Sequence, residues 1–362
     1  MRILFFIQGE GRGHQTQAVA LYEILRNQGH ELVGAIVGVA PEREISSLLR
    51  QYLPTDFKAV ESPALLYSDK TKALAVGPTL LTNARKGTRF WRQAAEINAF
   101  IQEKKPTVIV NFYEMMCGVW QWQYRSPIPV VCIAHQYLLQ HRHFELPAEG
   151  VLNRRIVNTI TWLSAVGSRR KLALSFYEMA DDVAANIYVI PPLLRQNVLE
   201  LETTEEPFLL AYTTNYRLAS DLEDWCRTHP DTQVQAFWDR PGSAAIEQPL
   251  PNLTLHQVNA TAFLDAMRRC RGLVSTSGFE SICEAMYLGK PVMLFPTPGH
   301  FEQAVNALDA VRAGVGIRAT SFLDLDRFLS YLPTHQSIQT RFQNWHRRGS
   351  ELIVRHLEEL SR

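Results

Sequence analysis

The sequence predicts an α/β protein made of two doubly wound domains, each built on a parallel sheet. Short continuous apolar segments alternate with amphipathic helical segments along both halves of the chain, as in sheets that are covered by helices on both faces. The chain has 362 residues, which is the length of about two domains. Each half also has a small-residue loop, rich in glycine or serine, between an apolar strand and a helix, where such folds bind ligands.

In the first half, apolar runs and helical spacing define the elements in turn. We predict strands at residues 3–8, 32–39, 107–110 and 129–134, and helices at 15–28 and 42–52. The alternation stops at residues 187–195, where Pro-Pro precedes an acidic run, and this pattern predicts a linker. We therefore place the first domain at residues 1–195.

The alternation resumes after the acidic run. We predict strands at residues 208–212, 235–238, 253–256, 272–275 and 292–295, with helices between them. A second domain then spans residues 196–340, and residues 337–362 form one long amphipathic helical stretch. Two such domains are expected to face each other across a cleft, with the carboxyl ends of both sheets toward one ligand.

Composition excludes several classes of protein. With 46% hydrophobic and 20% charged residues the chain is not intrinsically disordered, and its apolar runs are too short for a membrane span. Residues 1–195 carry a net charge of +6 and residues 196–362 of −5, which does not indicate nucleic-acid binding. The five cysteines are odd in number and form no Cys-x-x-Cys pair, so we expect buried thiols in a reducing cytoplasm.

The first loop has the sequence Gly-Glu-Gly-Arg-Gly-His over residues 9–14. Gly11 and Gly13 let the backbone approach a ligand closely, but the spacing is not that of a dinucleotide fingerprint. His14 is expected at a helix N-terminus, where the dipole keeps it neutral and suited to act as a general base. Glu10 is the alternative base, and a capping role for His14 without chemistry is equally compatible with the spacing.

The second loop follows the strand at residues 272–275. Thr276, Ser277, Gly278 and Ser281 at a helix start predict a diphosphate site made of backbone N–H groups and hydroxyls. Inside that helix, Glu284 is placed to accept two hydrogen bonds from a ribose diol. Glu302 and Gln303, at the start of the next helix, are candidates for contacts with sugar hydroxyls.

This segment resembles the nucleotide-sugar site of GT-B glycosyltransferases, of the branch with the peptidoglycan N-acetylglucosaminyltransferase, the family 28 C-terminal domain and uncharacterised bacterial and archaeal relatives. The matching positions are Gly278, Ser281, Glu284, Ala285, Gly289, Pro291, Pro296, Glu302, Gln303, Asn306, Ala307 and Gly314. The first half adds a Gly-x-Gly-His motif ending at His14 and a Gly-His-Glu motif at residues 29–31. The resemblance departs from the family pattern at Thr276, where plant-type members have His, and at Glu302, where Asp is usual.

The resemblance implies further roles that the spacing alone does not. It places recognition of the nucleobase of the donor near Gln257 and Phe263. It gives Glu114 the role of orienting His14, the proposed general base. It assigns His135 and Gln136, together with Gly11 and Gly13, to the acceptor side. It also implies that the final helix, residues 341–362, packs back on the first domain.

The implied activity is transfer of a sugar from a nucleotide-diphosphate sugar, UDP-linked by resemblance, to a hydroxyl acceptor on a glycan, lipid or small molecule. The resemblance also implies inversion and independence of metal, and the sequence has no His/Cys cluster with ligand spacing. His141 and His143 are therefore assigned to an exposed loop or an acceptor contact. A nucleotide-sugar 2-epimerase and a non-catalytic sugar- or nucleotide-binding protein on the same scaffold are the alternatives.

A basic and aromatic stretch covers residues 84–92. It is compatible with docking on an anionic bilayer or on a phosphate-bearing acceptor. A solvated helix face with Phe90 and Trp91 turned into the core is the favoured interpretation. Peripheral contact of the first domain with the inner face of a membrane therefore stays an open expectation.

Overall fold

The computed structural model describes residues 1–40, 43–63, 86–147, 150–213, 219–240 and 242–361. The chain divides into two compact units. Unit 1 comprises Met1–Gln196 together with Trp345–Arg362, and unit 2 comprises Asn197–Asn344. The division between the units after residue 196 adjoins the boundary expected from the sequence, and the C-terminal segment belongs to the first unit.

The sheet of unit 1, in the part of the chain described, has seven parallel strands. They are β1 (Arg2–Gln8), β2 (Glu31–Val39), β3 (Phe57–Glu61), β4 (Val108–Phe112), β5 (Val130–Ala134), β6 (Arg170–Leu174) and β7 (Ile187–Ile190). Their order is β3-β2-β1-β4-β5-β6-β7. The strands β4 and β5 are buried along their whole length, which explains their continuous apolar sequences. The chain order changes direction between β1 and β4, and ligands bind at such a switch point, beyond the carboxyl ends of the strands.

Helices connect these strands. They are α1 (Gly13–Asn27), α2 (Ser47–Tyr52), α3 (Gly87–Lys104), α4 (Met115–Tyr124) and α5 (Val151–Ser164), and a 3₁₀ helix covers His135–Gln140. The helix α1 buries Ala18, Leu21 and Leu25, at the spacing of one helical face. It ends before Gly29, whose φ of 76° favours glycine.

Unit 2 repeats this architecture. Its strands are β8 (Phe208–Thr213), β9 (Gln233–Trp238), β10 (Ile246–Leu250), β11 (Leu253–Gln257), β12 (Gly272–Ser275), β13 (Val292–Leu294) and β14 (Gly316–Arg318), in the order β10-β11-β9-β8-β12-β13-β14. Among the described pairs only β10 and β11 are antiparallel. The switch point lies between β8 and β12.

The helices that follow are α6 (Gln196–Leu199), α7 (Ala219–Thr228), α8 (Ala260–Arg269), α9 (Phe279–Tyr287), α10 (Phe301–Ala313) and α11 (Leu325–Tyr331). The core of unit 2 joins residues of several strands with the aromatic rings of Trp225, Phe295, Phe322 and Phe328, all at most 4% exposed. This core fixes the sheet whose carboxyl edge carries the second loop.

The C-terminal stretch is two helices rather than the single helix expected, α12 (Gln339–Arg347) and α13 (Gly349–Ser361). The break coincides with Gly349, because glycine is a poor helix former. Within unit 1, the indole N–H of Trp345 donates to the carbonyl of Ser175 at 2.9 Å. Arg170 forms an ion pair of 2.8 Å with Glu359. These contacts attach the end of the chain to the first sheet.

Two further expectations need correction. The segment predicted as a linker begins with β7, which pairs in parallel with β6, because its first four residues are an apolar strand despite the prolines that follow. The second helix starts at Ser47 and not at residue 42, since the hydroxyl of Ser46 caps it by accepting from the amide of Leu49. Residues 41 and 42 lie outside the described part of the chain.

The basic stretch divides between core and surface. Phe90 is buried, whereas Trp91 is 53% exposed, so the expectation that both rings lie in the core is wrong for Trp91. Lys86 and Arg89 are both paired with the buried Glu61, and residues 84 and 85 lie outside the described part. All five cysteines are free and buried. The described residues contain no helix that is both long and apolar enough to cross a membrane.

Candidate functional site

The glycine loop of unit 1 lies at the carboxyl end of β1, beside the switch point. Gly11 has a φ of 84°, a conformation that L side chains rarely adopt. The side-chain amide of Gln15 donates to the carbonyls of Gly9 and Gly11 at 2.8 and 2.9 Å. Gly9 also donates to the carbonyl of Gly38 on the neighbouring strand at 2.8 Å. The loop is therefore fixed by its own backbone and by Gln15, which the sequence analysis did not single out.

His14 is the second residue of α1 and is partly buried. Its Nδ1 lies 3.2 Å from the side-chain oxygen Oε1 of Gln17, one helical turn ahead. With Nδ1–H donating to that oxygen, Nε2 carries the lone pair that can accept a proton. Burial lowers the pKa of His14 to about 4, and the hydrogen bond to Gln17 opposes this shift. The imidazole is neutral as expected, but burial and not the helix dipole is the main cause.

Glu114 follows β4 on the other side of the switch point and is completely buried. Its carboxylate caps α4 by accepting from the amide of Met116 at 2.9 Å, and it also accepts from the hydroxyl of Ser62. Burial raises the pKa of Glu114 to about 7. The described structure shows no hydrogen bond between Glu114 and His14. The side chain that contacts Nδ1 of His14 is that of Gln17, on the same helix, and not that of Glu114 as the resemblance had implied.

His135 and Gln136 follow β5 in the 3₁₀ helix, at 4% and 5% exposure. Nδ1 of His135 lies 2.7 Å from the carbonyl oxygen of Leu174 and donates to it. Burial lowers the pKa of His135 to about 4. Both side chains are therefore built into unit 1 at its carboxyl edge, rather than lying open at its surface.

His141 is also buried, and its Nε2 donates to the carbonyl of Ala180 at 2.9 Å. The assignment of this histidine to an exposed loop was wrong, because the 3₁₀ helix folds it back onto the residues after β6. Between His141 and His143, Arg142 binds the buried Asp182 through two side-chain hydrogen bonds. In the described part of the chain, His, Cys, Asp and Glu residues form no group that could hold a metal ion.

The loop after β12 has an unusual backbone. Ser277 has a φ of 66°, in the left-handed region, and is completely buried. Its amide donates to the hydroxyl of Ser275 at 3.2 Å, and its carbonyl accepts from the side-chain amide of Asn306 at 3.0 Å. The side-chain oxygen of Ser277 has no hydrogen-bond partner among the described residues. Such a strained and internally held turn is typical of a ligand-binding loop.

The helix that starts after this turn has no side-chain cap at its N-terminus. Gly278 is its N-cap residue and provides no side-chain cap. The hydroxyl of Ser281 donates back to the carbonyl of Gly278 at 3.1 Å, and Thr276 is buried beside them. Because its N-cap residue has no side chain to cap it, the N-terminus of α9 is suited to interact with an anionic group.

The two switch points differ in one chemical respect. In unit 1, a carboxylate, that of Glu114, already caps the helix that follows β4. In unit 2, the equivalent helix after β12 begins at Gly278 without such a cap. The N-terminus of the helix after β4 is thus capped by an acidic side chain, whereas that of the helix after β12 has no side-chain cap.

The remaining residues predicted for the donor lie on α9 and α10. Glu284 is 7% exposed in the middle of α9. Glu302 lies in the first turn of α10, and the side-chain oxygen Oε1 of Gln303 accepts from the backbone amide of Thr297 at 2.8 Å. His300 caps this helix by accepting from the amide of Gln303. His300 was not predicted, although its position two residues before the Glu-Gln pair was a signal.

The residues assigned to recognition of the nucleobase lie at the carboxyl edge of the same sheet. Phe263 packs against Tyr212 and Phe237, with ring centroids 5.0 and 5.4 Å apart. His256 stacks on Phe237 at 4.7 Å. Gln257 accepts a hydrogen bond of 2.7 Å from the hydroxyl of Ser243. The aromatic cluster of four rings was not foreseen, because its members are spread over three strands and a helix.

Comparisons with known proteins identify the family. The model of glycosyl transferase family 1 matches residues 1–333. An uncharacterised glycosyltransferase of Methanosarcina acetivorans is 26% identical over 347 residues, covering 88% of this chain and 83% of that protein.

Solved structures match over both units. One is Phytolacca americana UGT2 complexed with UDP-2-fluoroglucose and pterostilbene, with a TM-score of 0.67, 12% identity and full coverage of both chains. Another is MurG of Acinetobacter baumannii, with a TM-score of 0.60, 12% identity and coverage of 99% of this chain and all of the other. The expected fold and the resemblance to glycosyltransferases are both confirmed. The chain has the GT-B fold and belongs to glycosyl transferase family 1.

Proposed function

We propose that this glycosyltransferase moves a hexosyl or N-acetylhexosaminyl group from a UDP-sugar to a hydroxyl acceptor, with inversion and without a bound metal. The observation that carries the proposal is the uncapped start of α9 beside the strained turn at Ser277. Its N–H groups and dipole suit the negative charge that develops on a leaving diphosphate. The complex of UGT2 with a UDP-sugar analogue supports UDP as the nucleotide.

The proposed reaction is a direct displacement. The acceptor oxygen forms a bond to the anomeric carbon while the bond from that carbon to the diphosphate oxygen breaks. Nε2 of His14 takes the proton of the acceptor hydroxyl, since Nδ1 is committed to Gln17. In the donor, Glu284 binds the ribose, and Glu302 and Gln303 bind the transferred sugar. Single displacement on the face opposite the leaving group inverts the anomeric centre.

A thermal-shift panel of UDP, dTDP, GDP, CDP and NAD tests the donor site. A ligand at about 100 times its dissociation constant is expected to stabilise the protein by about 2.7 kcal/mol. A shift with UDP or a UDP-sugar supports the proposal, and a shift with NAD alone contradicts it. Consumption of the UDP-sugar without any acceptor would point to the epimerase alternative.

Replacing Glu284 with Ala is expected to weaken UDP binding by roughly 1.5–3 kcal/mol, the value of hydrogen bonds to a charged group. Titration calorimetry with UDP measures the change. Glu202→Ala is the matched control, because Glu202 is an exposed acid of the same unit and its loss should leave affinity unchanged. Equal affinities of Glu284→Ala and the native protein would remove the ribose assignment.

We also propose that the enzyme acts in the cytoplasm and contacts an anionic membrane surface through unit 1. Trp122 and Trp162 are 56% and 54% exposed, and their rings meet edge to face at 6.1 Å. Arg125 and Arg169 line a cavity together with Trp122, and neither forms an ion pair with a described residue. Indole rings beside unpaired cations are suited to the headgroup region of anionic lipids.

Sedimentation with phosphatidylglycerol vesicles is expected to capture the protein, and the double variant Trp122→Ala/Trp162→Ala to lose most of this binding. Phosphatidylcholine vesicles should bind less, because they lack the negative charge. Leu323→Ala is the control, since Leu323 is 75% exposed in unit 2. Equal sedimentation of the double variant and the control would contradict this part of the proposal.

A further inference from the structure

Tyr113 occupies the turn between β4 and α4 with a φ of 59°. A bulky L residue in this left-handed region is a genuine outlier. Glycine or asparagine adopts the conformation more readily. The chain nevertheless has an aromatic ring here, directly before Glu114 and beside the switch point of unit 1. Backbone strain of this kind concentrates where a side chain has to be held in one place for function.

The ring of Tyr113 is fixed from several sides. It stacks on the imidazole of His14, with centroids 5.4 Å apart and planes 19° apart. The hydroxyl of Thr161 donates to the carbonyl of Val157 at 2.8 Å, so the phenol of Tyr113 donates to Thr161 at 2.7 Å. The ring of Tyr137 meets that of Tyr113 edge-on at 6.0 Å. Tyr113 thus connects α5, through a buried hydrogen bond, to the face of the imidazole on α1.

We propose that Tyr113 is a positioning residue for the transfer reaction, and that it fixes the plane of the His14 imidazole while Gln17 fixes its tautomer. The inference rests on the proposed function of His14 as the base. The two constraints are complementary, because a hydrogen bond at Nδ1 still allows the ring to tilt about it. Stacking on a ring that is itself anchored removes that freedom. An aligned Nε2 is what proton transfer from an acceptor hydroxyl needs.

Three variants test the inference. Tyr113→Phe keeps the stack and removes the anchor to Thr161, and Tyr113→Gly relieves the backbone strain and removes the ring. Tyr137→Phe is the matched control, because it also loses a buried phenol hydrogen bond, the one to Ser164, but its ring does not stack on His14. Steady-state kinetics give kcat and the donor KM. A proton NMR titration, with His14→Ala for assignment, follows the imidazole of His14.

We expect Tyr113→Phe to lower kcat several-fold and Tyr113→Gly by about 10- to 100-fold, with the donor KM unchanged. Tyr137→Phe should stay within about twofold of the native kcat. In Tyr113→Gly the imidazole should lose its buried surroundings, and its titration should move up toward that of an ordinary histidine. In Tyr113→Phe the titration midpoint of His14 should stay low. If Tyr113→Gly does not fold, the loss of kcat in Tyr113→Phe relative to Tyr137→Phe tests the inference.

The outcomes separate the two claims. An unchanged His14 titration in folded Tyr113→Gly would overturn the positioning role. So would a loss of kcat in Tyr137→Phe as large as that in Tyr113→Phe. A shifted titration together with a native kcat in Tyr113→Gly would confirm that Tyr113 holds the imidazole. In that case His14 would not be the base, and the proposed function would lose that residue.

Discussion

His14→Ala is expected to lower kcat for sugar transfer by about 10²- to 10⁴-fold, the range that a positioned general base contributes. The affinity for UDP should not change, because the residues proposed for the diphosphate belong to unit 2. A coupled assay of UDP release measures kcat, and calorimetry with UDP measures the affinity. A variant that keeps activity within about tenfold of the native enzyme would show that another group accepts the proton.

Gln17→Leu is the companion variant. It removes the hydrogen bond at Nδ1 of His14 and keeps the imidazole itself. Neutral imidazole then exchanges its proton between the two nitrogens, so a smaller loss of kcat than in His14→Ala is expected. His229→Ala is the control, because it removes a histidine from the loop between α7 and β9 of unit 2, away from β12. This variant should have the activity of the native enzyme.

The pH dependence of kcat/KM also tests the assignment of His14 as the general base. Burial lowers the pKa of His14 from 6.5 to about 4, so the base form predominates from about pH 5 upward. The acid limb of kcat/KM that belongs to His14 should therefore lie near pH 4, about 2.5 pH units below that of a solvated histidine. An acid limb centred at pH 6–7 that persists in Glu114→Gln would show that His14 is more hydrated than its surroundings imply.

The fold was predictable where apolar runs are long and bounded. The strand predicted at 3–8 and the strand β1 differ by one residue, and β5 begins one residue after the predicted start. Some short or alternating strands were not predicted. The strand β14 has only three residues, and the alternating segment Phe57–Glu61 of β3 lacks the continuous apolar run of its neighbours. Their pairing depends on the sheet already being formed, which no local pattern encodes.

The candidate site was predictable in its loops but not in its contacts. The glycines of the first loop and the Ser-Gly turn of the second are local signals, so His14 and Gly278 could be placed from the sequence. That His14 pairs with Gln17 depends on the side-chain conformations within α1, and the burial of Glu114 depends on tertiary packing; no local pattern encodes either. The left-handed backbone of Tyr113 and Ser277 was not foreseeable either, because both residue types usually avoid it.

Glu114→Gln is expected to change the pH dependence of the stability of the protein. Burial raises the pKa of Glu114 from 4.5 to about 7, so between these pH values the folded protein holds a proton that the unfolded chain has released. The contribution of this group to stability is therefore greatest below about pH 4.5. It is lost as the pH rises through that window, and the loss is complete above about pH 7.

The full loss corresponds to about 3.5 kcal/mol, at about 1.4 kcal/mol for each unit of the difference between the pKa values of 4.5 and about 7. A glutamine keeps one oxygen to accept from Met116 and Ser62 and cannot ionise. The free energy of unfolding of Glu114→Gln, measured relative to the native protein by urea denaturation, should thus rise by about 3 kcal/mol between pH 4.5 and pH 8. Any constant cost of burying the extra amide group cancels in this difference.

Glu10→Gln separates this effect from charge near the loop. Glu10 is exposed and is the smallest of the four influences on the pKa of Glu114, so its removal should alter the pH dependence only slightly. Histidines with lowered pKa values, such as His135 and His356, act in the opposite direction, because they destabilise the fold as the pH falls below 6.5. They are common to both proteins and drop out of the comparison. A Glu114→Gln curve parallel to the native one would mean that the carboxylate is ionised at pH 5 in the folded protein, held by Ser62 and the amide of Met116 more strongly than burial opposes it.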